Sequence, residues 1–196
     1  PAMRFIPYWK NDGITRIEAP GSGDVLTGTE VEVVYPAFLT DQAPVIAPPL
    51  RLHDCSLVTD GAAAVVVMAR EKAEALGCPV MAGIGAQASY GIEMKYVLVA
   101  PIWAIPKCLA KQGITAADVD LFEINEAFSG STLAALRELK LDPEKVNVNG
   151  GAIALGHPVG STGTRLMVTL LHEMIRRDVS LGLITACVGG GMGGAI

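Results

Sequence analysis

From Asp60 onward, short apolar runs alternate with longer stretches in which apolar and charged positions recur at helical spacing. The run at 62–68 predicts a strand, and the charged stretch at 70–76 predicts a helix closed by Gly77. The same apolar run suits equally the first half of one longer helix, because periodicity does not separate a buried strand from a buried helix of that length. Beyond Cys78-Pro79 the pattern predicts a strand at 80–86, a helix at 105–112, a strand at 121–125 and a helix at 127–139. A strand at 146–149, a helix at 160–177 and a strand at 181–187 complete the series. Strands alternating with helices in this way predict an α/β fold, a mixed five-stranded sheet flanked by helices on both faces. Residues 1–59 lack that texture. They are rich in turn formers such as Gly21-Ser22-Gly23 and Pro48-Pro49, with one alternating stretch at 31–35 that predicts a strand. The expected division is an irregular loop segment at 1–59 and an α/β domain at 60–196.

A chain of 196 residues with 51% hydrophobic content can bury a real core. The net charge of −5 provides no basic stripe, which argues against nucleic acid as a partner. Four cysteines at 55, 78, 108 and 187 form no CxxC pair. That spacing fits neither a zinc site nor a dense disulfide framework, so no metal is expected and a reducing, cytoplasmic setting fits best. No apolar run is long enough for a membrane span. The chain opens at Pro1, so the sequence is silent about any targeting segment before it.

Three strand ends carry polar groups with chemical potential, and open α/β sheets place their ligand sites at such ends. Asn125-Glu126-Ala127-Phe128 puts a neutral amide at the end of a buried strand, where a helix N-cap is the plainer reading. The loop from Asn147-Val148-Asn149-Gly150-Gly151 to Gly156-His157-Pro158 runs into a long helix with one histidine between a glycine and a proline. Glycine lets the backbone pass close to a ligand and proline fixes φ, which favours a functional His157 over one that merely packs. His172, within a helix among Leu170, Leu171 and Met174, reads as a partly buried structural histidine, and His53 stays open. Cys187 ends an apolar strand and precedes Val188 and a glycine turn from Gly189 to Gly194, interrupted by Met192. Small residues there expose backbone N–H groups and clear room for a carbonyl, the material of an oxyanion hole. An amide, an imidazole and a thiol suit proton movement at the α-carbon of a thioester and stabilisation of its enolate.

These three motifs, in this order, resemble the C-terminal signatures of the thiolase family, and the likeness extends upstream through Asp60-Gly61 to about residue 56. The resemblance implies the second α/β half of a thiolase-like fold, truncated before its last strand. It implies that Asn125 holds a catalytic water, which with His157 forms one oxyanion hole. His157 also activates the nucleophilic cysteine, Cys187 is the acid/base at the α-carbon, and the N–H of Gly189 forms half of a second oxyanion hole. Ser56 matches a serine that touches the pantetheine arm of coenzyme A. Coenzyme A and acyl-CoA are implied as substrates, with no bound cofactor.

The family's acyl-accepting cysteine lies in its N-terminal half, and Cys55, Cys78 and Cys108 sit in none of the motifs. The resemblance therefore implies a C-terminal part of an acyl-CoA C-acyltransferase that is inactive alone, partnered by the missing N-terminal half in a homo-oligomer. A non-catalytic coenzyme A binding subunit is the alternative, and an aldolase subunit acting on a CoA side chain a third. Leu52-His53-Asp54-Cys55-Ser56-Leu57 is closer to the sterol-carrier type of thiolase and Asn125-Glu126-Ala127-Phe128 to the biosynthetic type, so no acyl chain length is assigned.

Overall fold

The computed structural model describes residues 54–196 and, as backbone only, four short strands before them. Those strands form two antiparallel pairs, β1 (Tyr8–Lys10) with β2 (Gly13–Thr15) and β3 (Val45–Ala47) with β4 (Leu50–Arg51). The strand expected at 31–35 and the undecided His53 lie outside the described residues.

The main sheet has four strands in the order β5-β8-β7-β6: β5 is Ala88–Gly91, β6 Leu121–Ile124, β7 Gly182–Val188 and β8 Met192–Ala195. β6 and β7 run parallel while β8 is antiparallel to both of its neighbours, so the sheet is mixed as expected but has four strands among the described residues rather than five. The expected fifth strand, at 146–149, is reduced to a single parallel bridge between Phe122 and Val146. Asn147 explains why: its backbone N–H donates to Phe122 O, and its side chain then takes over the edge of β6. Oδ1 accepts from Ile124 N at 2.7 Å and Nδ2 donates to Ile124 O at 2.8 Å, so one side chain does what a further strand residue would do.

Two other strand expectations are corrected. Residues 62–68 form neither strand nor helix, with Val66 84% and Val67 65% exposed, because no described strand pairs with them to complete a ladder. The strand expected at 80–86 falls later, at β5, where β8 supplies its antiparallel partner. β8 itself comes from the glycine-rich tail. The turn is confined to Gly189, Gly190 and Gly191, the last two at φ 83° and 82°, and the chain then doubles back as a strand.

The four expected helices are present: α1 spans Arg70–Ala75, α2 Pro101–Gln112, α3 Ser129–Leu139 and α5 Thr162–Arg177, and a further short helix, α4 (Ala152–Leu155), forms within the glycine-rich loop, where none was expected. α2 starts earlier than expected because Pro101 occupies its first turn, where a missing N–H costs nothing, and the helix carries Pro106 on its exposed side. α2 and α3 cover one face of the sheet, burying Ala104, Ile105, Cys108 and Leu109 against Phe122, Ile124 and Leu183. α5 covers the other face with Leu166 and Leu170, close enough that a Cβ at Gly182 would strike Leu170 and Met174. Strand alternation turns Phe122 and Ile124 toward α2 and α3, which sets Glu123 and Asn125 toward α5. His172 is exposed on α5, which corrects the expected partly buried position.

Candidate active site

Asn125 follows the last residue of β6 and is 4% exposed, its backbone N–H donating to Thr185 O on β7. The bland N-cap role does not hold. α3 begins at Ser129 behind Phe128, and no side chain caps it. Asn125 Nδ2 instead stands 3.4 Å from His157 Nε2, so two of the residues expected in the site meet through space. Asn125 Oδ1 is sealed from solvent with no partner, an acceptor suited to an internal water.

The loop that carries His157 is tied to the turn after β6. Glu126 accepts from Asn147 Nδ2 at 3.0 Å and from Ile153 N–H at 3.1 Å, and its carboxylate fills the space where a Cβ on Gly151 would stand. α4 then turns at Gly156, whose φ of 95° is costly for any other residue. The His157 N–H donates to Leu57 O at 2.7 Å, which draws the 56–61 segment against the site.

The tautomer of His157 follows from its neighbour. Thr162 Oγ1, in the first turn of α5, donates its one hydrogen to Pro158 O at 2.9 Å, leaving only a lone pair for His157 Nδ1 at 2.7 Å. Nδ1 therefore carries the proton, and in the uncharged ring Nε2 is bare and faces Asn125. Burial, and then the Arg165 guanidinium, push the imidazole below its ordinary range, which favours that uncharged form.

Cys187 lies near the C-terminal end of β7, paired with Gly193 on β8. Since β6 and β7 are parallel, it shares one end of the sheet with Asn125, but no hydrogen bond joins its thiol to Asn125 or His157. Burial pushes the Cys187 thiol up, so at neutral pH it holds its proton. Gly189 opens the adjacent turn, is exposed, and a Cβ there would meet nothing, whereas one on Gly191 would stand 2.5 Å from Ile92 O. Ser56 donates its N–H to Ala127 O at 3.1 Å, which sets it beside the turn after Asn125, half-buried.

Thr162, Asn147 and Glu126 are the residues that motif reasoning left without a role. Each lies inside or beside a recognised motif, yet its function is a contact across the fold. Among the described residues, no group of three or more His, Cys, Asp or Glu is arranged to hold a metal, and no helix is long and apolar enough to cross a membrane.

Residues 78–196 match the family model described as "Thiolase, C-terminal domain". The acetyl-CoA acetyltransferase of Pseudomonas aeruginosa is 48% identical over 172 residues, covering 86% of this chain and 42% of that protein. The 3-ketoacyl-CoA thiolase of Bacillus subtilis is 50% identical over 169 residues, again 86% of this chain and 42% of that protein. In three dimensions the chain is similar to human mitochondrial 3-ketoacyl-CoA thiolase, with a TM-score of 0.75 and 39% identity over 78% of this chain and 39% of the other. It is also similar to a structure of that human enzyme in complex with CoA, with a TM-score of 0.63 and 40% identity over 64% of this chain and 32% of the other. The chain thus spans about two fifths of the length of the curated relatives it matches.

Proposed function

The chain belongs to the thiolase family, and on that premise we propose that it is the C-terminal part of an acyl-CoA C-acyltransferase. In this reading it contributes the α-carbon acid/base and an oxyanion hole to a site whose nucleophilic cysteine comes from an N-terminal half, so it does not turn over alone. The supporting observation is the Asn125–His157 pair with Thr162 behind it, because that arrangement gives Nε2 two successive tasks.

Bare Nε2 first accepts the proton of the nucleophilic thiol, whose sulfur then attacks the 3-keto carbon of the substrate. The ring is now charged, with Nδ1–H still held by Thr162 and Nε2–H on the side of Asn125. As the carbon–carbon bond breaks, the electron pair passes into the thioester as an enolate. Nε2–H and a water on Asn125 stabilise the enolate oxygen. Cys187, held as a thiol by burial, then protonates the α-carbon, releasing acetyl-CoA and leaving the shortened acyl group on the nucleophile. Coenzyme A takes that acyl group in the second half-reaction, with the N–H of Gly189 as half of the other oxyanion hole and Ser56 against the pantetheine arm. Run backwards, the same groups carry out Claisen condensation, and mass action sets the direction. Homo-oligomerisation and a cytoplasmic setting belong to this reading.

The test is assembly of this chain with an N-terminal thiolase half that carries the cysteine, assayed for thiolysis of a 3-ketoacyl-CoA. Cleavage is expected. A folded, cysteine-containing assembly that binds coenzyme A but cleaves no such thioester overturns the catalytic reading in favour of a coenzyme A binding subunit. In an active assembly, Cys187→Ala should abolish condensation while the acylated nucleophile remains detectable by mass spectrometry. His157→Ala should impair both steps.

A further inference from the structure

Among the described residues, the buried side-chain atoms without a hydrogen-bond partner include those of two charged residues: Glu123 through Oε2, and Arg165 through Nε, Nη1 and Nη2. Both stand where β6 packs against α5. Glu123 shares its face of β6 with Asn125. Arg165 follows Thr162 by one helical turn, so it shares the face of α5 from which Thr162 holds His157.

The other buried or half-buried carboxylates of this layer are already engaged. Glu126 accepts from Asn147 and Ile153, and Glu173 accepts from Asn149, Arg176 and Arg177. A guanidinium sealed from water with no counter-charge costs several kcal/mol, so it needs an opposing carboxyl in the same space. Glu123 is the carboxyl left open for it.

The charged and titratable groups on the elements around His157 are Arg165 in the first turns of α5, with His172, Glu173, Arg176 and Arg177 towards the far end of that helix, Glu123 on β6, Glu126 in the turn after β6, Asp60 in the segment that meets His157 through Leu57, and Cys187 on β7. Arg165 is the cation one turn from Thr162, whereas Arg176 and Arg177 sit in the last turn of α5 and are bound to Glu173. We propose that Arg165 is a positioning residue: a cation sealed behind the His157–Asn125 pair and balanced by Glu123 across the β6–α5 interface. It opposes a second positive charge on the imidazole and keeps Nε2 bare. The electrostatics agree. Burial and then Arg165 push His157 down, while burial pushes Glu123 up, to about 7, against the pull of Arg165. This role deepens the function proposed above, because a bare Nε2 is what the first proton transfer requires.

The test reads the imidazole directly and needs no turnover, so it stands apart from the failure or success of the acyl-transfer assignment. The ring nitrogens of His157 are followed by NMR through a pH titration of the nitrogen-labelled chain, with the signal assigned by its loss in His157→Gln. Arg165→Met should raise the His157 midpoint by on the order of one pH unit, while Arg165→Lys, which keeps the charge, should leave it within a few tenths of a unit. A folded Arg165→Met chain with an unchanged midpoint overturns the proposal. Should Arg165→Met not fold, the doubly substituted Arg165→Met, Glu123→Gln chain leaves neither charge unpaired and carries the same expectation and the same overturning result. In an active assembly, the acid limb of the acylation rate should move to higher pH in Arg165→Met by the same amount.

Discussion

At the scale of single residues, the hydroxyl of Thr162 decides which nitrogen of His157 is bare. Its one hydrogen is committed to Pro158 O, so it can only accept from Nδ1. Thr162→Val keeps the shape but removes that acceptor, so an Nδ1–H would be left unsatisfied and the ring is free to place its proton on Nε2 instead. Acylation of the nucleophilic cysteine in an active assembly should fall by about ten- to a hundredfold, the scale of a misplaced general base, while Thr162→Ser should retain most of it. Equal rates in the valine and serine variants would remove Thr162 from the mechanism. Glu123 offers a second test at this scale. Burial first, with Glu126 and Glu173 adding to it and Arg165 opposing, raises its carboxyl from 4.5 to about 7. A folded-state value above the unfolded one means the native state holds the proton more tightly. The stabilisation is complete below about pH 4.5 and is lost as pH rises through 7. Urea unfolding at pH 5 and pH 8 should show wild type losing up to a few kcal/mol relative to Glu123→Gln. Parallel pH dependences in the two would mean the carboxyl is not held in this way. Asn125, His157 and Cys187 stand out in the sequence as candidates because each is a polar residue where an apolar run stops. Thr162, Asn147 and Glu126 do not, because a hydroxyl, an amide and a carboxylate in polar company carry no mark of the distant atom each will meet.

At the scale of elements, the glycine-rich tail was only half legible. Its glycines announce a turn, and the turn is there, but four residues of the same tail form β8, which pairs with both β5 and β7. Glycine weakens a strand in isolation, and the compensation here is close approach. A Cβ on Gly193 would stand 2.7 Å from the Ala100 carbonyl carbon at the start of α2. Gly193→Ala should therefore destabilise the chain by about 1–3 kcal/mol in chemical denaturation, since the atom it meets is backbone and cannot rotate aside. Gly130→Ala, in the first turn of α3 where a Cβ meets nothing, should be neutral or stabilise by up to about 1 kcal/mol. If Gly193→Ala were as mild as Gly130→Ala, β8 would not lie where the pairing places it. The helices were the most legible elements because each carries its own periodic stripe. Thr162, Leu166, Leu170 and Glu173 of α5 repeat at helical spacing and are all buried. The strand expected at 146–149 failed for the opposite reason. Its apolar and polar order suits a strand, but a strand needs a ladder, and the side chain of Asn147 occupies the edge of β6 first.

At the scale of the whole molecule, apolar surface is distributed unevenly. Between residues 58 and 84, Val58, Val66, Val67, Leu76 and Ile84 are exposed by 82, 84, 65, 61 and 51%. That segment has one short helix, α1, and no strand. Ala73 is its buried hydrophobic residue, whereas α2, β6 and α5 each bury several. Ordering such a segment costs on the order of 1–2 kcal/mol per residue in backbone entropy, which a segment with so few buried contacts does not recover by itself. The same residues lead into the site: the Leu57 carbonyl receives the His157 N–H, and Thr59 lies where a Cβ on Gly156 would stand. If the chain works as one part of a longer acyltransferase, the complementary half should cover this surface and hold the segment against the site. Hydrogen exchange read by mass spectrometry distinguishes the two states. In the chain alone, amides at 58–86 should exchange within seconds while those of α2, β6, α5 and β7 stay protected, because protection follows buried contacts. Adding a cysteine-bearing N-terminal half should protect 58–86 and leave the already protected elements little changed. Full protection of 58–86 in the monomeric chain alone would show that these residues pack without a partner, and the apolar surface could then no longer be used as an argument for one.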